Sequence, residues 1–154
     1  AGKCDSYSAD QSQLYALRLR LKVPDDHIVL PDVISKEPLG PAVRQGDDQW
    51  FAIVRWVLFA LINAEELQVG MKGVDSLKQT SKSPAVRRLL GVDGISLGAD
   101  IGLDADWAAR AIMATGNYGE MFERNLGSQS QLGIARGINA LWNAGGLLYV
   151  PPVR

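Results

Sequence analysis

One segment limits the folds open to this chain more than any other. From Asp47 onward, Trp50, Phe51, Val54, Val57, Leu58, Leu61 and Ile62 recur at helical spacing, yet they cover most of the circumference. A helix that is apolar on nearly every side needs neighbours all round, so this one belongs at the centre of the fold. Asp47 and Asp48 open it, where negative charge suits the positive end of the helix dipole. It should end near Leu67, with Gly70 as the stop. Its longest apolar run, Trp56 to Ile62, is bracketed by Arg55 and Asn63, well short of the roughly 20 apolar residues a membrane span needs. The segment is a buried helix and not an anchor.

Shorter elements surround it. Lys3 to Ala9 alternates loosely around Tyr7, as a short strand does, and Asp10 then precedes a helical stripe of Leu14, Leu17 and Leu21. Pro24-Asp25-Asp26 ends that helix in a turn, and His27 to Leu30 reads as a short β run closed by Pro31. Ile34 to Trp50 reads as a connector stiffened by Pro38 and Pro41, then a short strand, then the capped helix. Beyond it, Ser83-Pro84 starts a helix whose apolar face is Val86, Leu89 and Leu90. Gly91 to Gly102 is a glycine-rich loop. Asp104 should cap a helix carrying Trp107, Ala111 and Ile112 and stopping at Gly116. Ile134, Ile138, Leu141 and Trp142 form an i, i+4, i+7, i+8 stripe that predicts a last helix, ending at Gly145-Gly146. An extended tail follows.

Composition narrows the function classes. The chain has 154 residues, 47% of them hydrophobic, enough for one ordinary core. Its formal net charge is -1, and the tight basic clusters are Arg18/Arg20/Lys22 and Arg87/Arg88. A nucleic-acid binder should present a basic stripe, so none is expected as a partner. Ala1 to Asp5 has neither the basic start nor the apolar core of a leader peptide, which leaves the compartment open. The single Cys4 permits no internal disulfide and is equally silent on compartment.

Catalytic and metal patterns are thin. One Cys and one His give no cluster of soft ligands, and Asp25-Asp26-His27 are adjacent on a turn, so neither metal nor cofactor is expected. Gly94-Ile-Ser-Leu-Gly98 matches the Gly-x-Ser-x-Gly of serine hydrolases, which would make Ser96 a nucleophile. That motif needs a strand before it and a helix after it, and neither flank supplies them. His27 also precedes the serine in place of following it. Cys4 with His27 is the other nucleophile–base pair available, without an orienting partner. Asp10 is the remaining candidate. At a strand-to-helix junction its carboxylate can cap the first turn, or it can accept a charge-assisted hydrogen bond from a ligand's ammonium group. The residues alone favour the cap.

Longer blocks reverse that order. Ala1-Gly-Lys-Cys-Asp-Ser-Tyr-Ser-Ala-Asp-Gln-Ser12, the Ile34–Trp50 segment, Leu103-Asp-Ala-Asp-Trp107, Gly116 to Gly127, and Arg136-Gly-Ile-Asn-Ala-Leu-Trp-Asn-Ala-Gly-Gly146 before Pro151-Pro152 resemble the general L-amino-acid receptors of bacterial ABC importers. In that family the Ile34–Trp50 wording lies in the second half of the polypeptide. The resemblance therefore implies the carboxyl-terminal portion of a two-lobed type II periplasmic binding protein, α/β in class but mostly helical here, with a few short strands. Residues 1–33 would be the remainder of lobe two, and 34–154 the hinge return strand and helical part of lobe one. It implies a non-enzymatic, periplasmic protein that captures L-amino acids in an interlobe cleft and delivers them to the permease subunits. The family's ammonium-binding aspartate falls on Asp10, and Ala9 stands where a hydroxyl residue is usual. Arg18, Arg44 and Arg55 do not match the family's carboxylate-binding arginine. With so little of the cleft present, the chain alone should bind poorly, and exposed edges should favour a homodimer or swapped dimer. The alternatives are a small esterase using Ser96 and a self-associating interaction module.

Overall fold

The computed structural model describes residues 4–36, 38–92 and 98–153. Six α-helices follow in chain order: α1 Gln11–Arg18, α2 Asp48–Glu66, α3 Val74–Thr80, α4 Pro84–Leu89, α5 Trp107–Thr115 and α6 Tyr118–Asn125. Single 3-10 turns sit between them, including Pro24–Asp26 where the Pro-Asp-Asp turn was expected. Among the described residues no helix is long and apolar enough to cross a membrane.

The central helix forms as expected at its start. The Asp47 carboxylate accepts a hydrogen bond from the Trp50 backbone N–H at 3.0 Å, satisfying one free donor of the first turn. Its end differs from the expectation. The stop is Gln68 and not Gly70: Gln68 takes the left-handed conformation (φ 58°), Val69 N–H reaches Ala64 C=O at 2.8 Å, and Gln68 N–H reaches Glu65 C=O at 3.0 Å. This is a Schellman closure made without glycine.

Only the second half of α2 is central. Ala60, Leu61, Ile62 and Ala64 are buried, whereas Trp50 and Phe51 remain about half exposed at 51% and 48%. The buried half packs on α5 and α6. Ala60 and Ala64 of α2, with Ala108 and Ala109 of α5, are almost fully inaccessible and belong to one cluster. Small side chains there let the two backbones approach closely. Val69, Val74, Val86, Leu89, Leu90 and Ile112 complete the core. The face predicted for α4 is therefore the one that is buried.

Several expected elements differ. The runs at Lys3–Ala9, His27–Leu30 and within Ile34–Trp50 form no strand among the described residues, although His27 has extended dihedrals (φ -127°, ψ 139°). A strand exists only as part of a ladder, and no described neighbour pairs with these runs. One isolated bridge, Leu141 to Leu148, is the sole β pairing among the described residues.

The last predicted helix is replaced by two 3-10 turns, Gly137–Asn139 and Trp142–Ala144. Ile134 and Leu141 are buried, but Ile138 and Trp142 point to solvent. The competing interaction is a loop closure: Trp142 N–H bonds Leu148 C=O and Leu148 N–H bonds Ala140 C=O, taking groups a helix would use internally.

Asp104 does not cap α5. Its carboxylate takes Arg110 at 2.9 Å, Asp106 holds the same guanidinium at 3.3 Å, and the residue at the cap position, Asp106, makes no side-chain cap bond. The stop at Gly116 (φ 81°) is as expected.

Candidate functional site

Asp10 stands where the sequence places it, immediately before α1. Its backbone has the extended geometry of a cap residue (φ -54°, ψ 141°), and its carbonyl accepts the first helical hydrogen bond from Leu14 at 2.9 Å. Its carboxylate, however, makes no cap bond. The residue is half-buried and the side chain has no hydrogen-bond or ion-pair partner among the described residues. A carboxylate positioned to cap but left unbonded retains its full accepting capacity for another group.

The other charged residues nearby are engaged locally. Arg18 donates from Nε to the Pro24 carbonyl at 3.1 Å and pairs with Asp25 at 3.6 Å, which folds the Pro24–Asp26 turn back on α1. Arg55 lies over the Phe51 ring, 5.1 Å from its centre. Arg44 borders an open polar groove with Gln45, Asp48 and Gln49. A second depression, of about 240 Å³, is lined by Met71, Lys72, Glu120, Arg124 and Gln129. Neither includes Asp10.

The catalytic alternatives are not assembled. Ser96 and most of its Gly94–Gly98 frame lie outside the described residues. Cys4 is an exposed free thiol, and His27 faces the Val23 carbonyl through Nδ1 at 3.1 Å, with no hydrogen bond between the two. Among the described residues no group of three potential metal ligands converges, and Asp25 is occupied by Arg18.

Two polar hubs went unread in the sequence. Arg136 donates from both terminal nitrogens to the two Glu65 carboxylate oxygens at 3.0 and 3.1 Å, and from Nε and Nη2 to the Asn139 carbonyl at 3.2 and 3.0 Å. Its guanidinium also lies over the Tyr118 and Phe122 rings at 5.5 and 5.0 Å. One turn of α2 thereby holds the carboxyl-terminal segment, aided by Asn63 donating to the Pro151 carbonyl at 2.8 Å and the Trp142 indole N–H donating to Glu66 at 3.3 Å. The second hub is a capping box. Asn117 accepts from Glu120 N–H at 2.9 Å, while the Glu120 carboxylate accepts from Asn117 N–H at 2.8 Å and from Met71 N–H at 3.0 Å. The Asn-x-x-Glu spacing was a legible signal for this hub and for α6.

No family model matches the chain. Individual proteins do. The general L-amino acid-binding periplasmic protein AapJ of Rhizobium johnstonii is 61% identical across the whole chain. The putative amino-acid ABC transporter-binding protein YhdW of Escherichia coli is 55% identical, and the glutamate/glutamine/aspartate/asparagine-binding protein BztA of Rhodobacter capsulatus 50%. The chain spans 45% of the length of each. Among solved structures, an ABC transporter periplasmic binding protein from Brucella ovis with glutathione bound superposes with a TM-score of 0.92 at 53% identity, over 99% of this chain and 48% of that one. The relatives are solute-binding proteins, which favours neither the esterase nor the interaction module. With identities of 50–61% running along its full length, the chain belongs to the periplasmic amino-acid-binding proteins of ABC transporters and corresponds to their carboxyl-terminal part.

Proposed function

We propose that these residues form part of a receptor that captures L-amino acids in the periplasm and delivers them to a membrane permease. The observation that carries this reading is the unbroken identity, up to 61%, with proteins named for amino-acid binding. In the arrangement we infer, residues 1–33 belong to lobe two of a type II binding protein and 34–154 to the hinge return and helical part of lobe one. Asp10 then faces the interlobe cleft and accepts the ligand's α-ammonium. Its unbonded, half-buried carboxylate supports that assignment. Glutathione, held by the Brucella relative, carries the same α-amino-acid head group on its γ-glutamyl end.

Mechanism follows from where the groups lie. A solute gripped by Asp10 on one lobe and by groups of the other lobe gains contacts only on closure, so binding shifts the population to the closed form. One charge-assisted hydrogen bond contributes about 1.5–3 kcal/mol. Millimolar affinity already needs about 4 kcal/mol. The Asp10 contribution alone therefore gives less than millimolar binding.

Calorimetric titration with a panel of L-amino acids and glutathione tests this. The chain alone should give no saturable heat below millimolar concentration. Joined behind the amino-terminal part of the Rhizobium relative, it should bind at micromolar levels. A folded joined protein with no heat for any member of the panel would overturn the reading.

A further inference from the structure

From Ile28 to Val43 none of the described residues makes a hydrogen bond, through backbone or side chain, to any other part of the chain. The same stretch is unusually apolar for a solvated one: Ile28, Leu30, Val33, Ile34 and Leu39 are 62–84% exposed. Extended backbone with every donor and acceptor unclaimed, carrying outward-facing β-branched and leucine side chains, is a strand lacking its sheet. At the end of this stretch, the first turn of α2 leaves Trp50 and Phe51 half exposed. The path is nonetheless a defined one. It is included in the superposition, at TM-score 0.92, on a relative of which this chain covers 48%.

We infer that Ile28–Ile34, with Leu39, Trp50 and Phe51, is a docking face for the amino-terminal part of a receptor of this family, joined by strand addition at Ile28–Leu30. The identity of the occupant rests on the receptor reading above. Three observations favour it over a second copy of the chain. The exposed residues lie on a path shared with a longer protein, the relatives carry an additional half able to cover them, and the main-chain groups are all free for ladder formation. Pairing would give those groups partners and remove the large side chains from water together.

Hydrogen–deuterium exchange tests the inference without any solute. The chain is compared alone and with the separately produced amino-terminal part of the Rhizobium relative. Alone, the amides of Ile28–Leu30 should exchange at unprotected rates. On addition of the partner they should slow at least tenfold, while the core amides of Ala60–Ala64 stay protected throughout. The double change Ile28→Asp, Leu30→Asp should abolish the slowing and leave the core amides unaltered. Protection that appears in the chain alone and rises with its own concentration would assign the face to a second copy and overturn the proposal. So would unprotected Ile28–Leu30 amides in a single polypeptide joining the relative's part to this chain, a form in which misfolding of a separate partner is not at issue. Protection without amino-acid binding would retain the docking face and remove the receptor function. Binding without protection would do the reverse.

Discussion

Arg136→Ala should be the most destabilising single change on the surface of the helical bundle. Its side chain is only 17% exposed and that of Glu65 19%, so the two-pronged pair is largely desolvated. Burying both charges is expensive, and the intact pair need not be strongly stabilising on its own. Removing one member, however, leaves the other buried without a counter-charge, at about 3–5 kcal/mol for a fully buried pair. The residual exposure of Glu65 reduces that to about 2–4 kcal/mol. Loss of the two bonds to the Asn139 carbonyl and of stacking on Tyr118 and Phe122 acts in the same direction. Urea unfolding should show a loss of about 3 kcal/mol, which for a chain of this size lowers the melting temperature by roughly 6–12 °C. Arg136→Lys keeps the charge but not the fork, so it should recover less than half of the loss. Because Arg136 ties down the carboxyl-terminal segment, the Leu148 amide should also lose exchange protection in Arg136→Ala. A stability change under about 0.5 kcal/mol, with Leu148 still protected, would refute the reasoning by putting the pair among ordinary surface contacts.

Gln68→Gly should raise stability by about 0.5–1 kcal/mol, because Gln68 alone among described non-glycine residues holds a positive φ; thermal melting measures it. Gly119→Ala should lower stability despite alanine's better helix propensity. A Cβ there would lie 2.9 Å from the Glu65 carboxyl carbon and 3.2 Å from the Arg136 guanidinium, and the same melting experiment decides the sign. The Glu123 carboxyl titrates below its ordinary value, first because the Ser128 hydroxyl and then because the Ser128 backbone N–H donates to it. A depressed folded value means this contribution is complete above the unfolded carboxylate range and lost as pH falls through the folded value. In Ser128→Ala the Glu123 titration followed by NMR should move upward, and its share of acid sensitivity should shrink.

The core was legible where burial is set by local pattern. Val86, Leu89 and Leu90 at the Ser83-Pro84 start, and Ile112 before Gly116, are read correctly from spacing because each short helix has a single inward face. The pattern failed at Ile134–Trp142, where the same spacing is divided by a loop closure that pairs Trp142 with Leu148, a non-local choice no window of sequence contains. It failed at Ile28–Leu30 for the related reason that a strand is defined by its neighbour. Arg136–Glu65 links positions 71 residues apart, and only the fold reveals it. Asn117 and Glu120, by contrast, stood in plain capping-box order and could have been read. Asp10 was located as the residue opening α1. That its carboxylate leaves the cap unmade is a property of the structure alone.

The most direct measurement compares L-glutamate with glutarate, its analogue lacking the α-amino group, by calorimetry on this chain joined to the amino-terminal part of the Rhizobium relative. If Asp10 accepts the α-ammonium, the preference for the amino acid contains about 1.5–3 kcal/mol from that bond, roughly 10- to 150-fold in affinity. Asp10→Asn should reduce the preference by that factor while leaving the weaker binding of glutarate unchanged or improved. An undiminished preference in Asp10→Asn would contradict the account and move ammonium recognition to another residue.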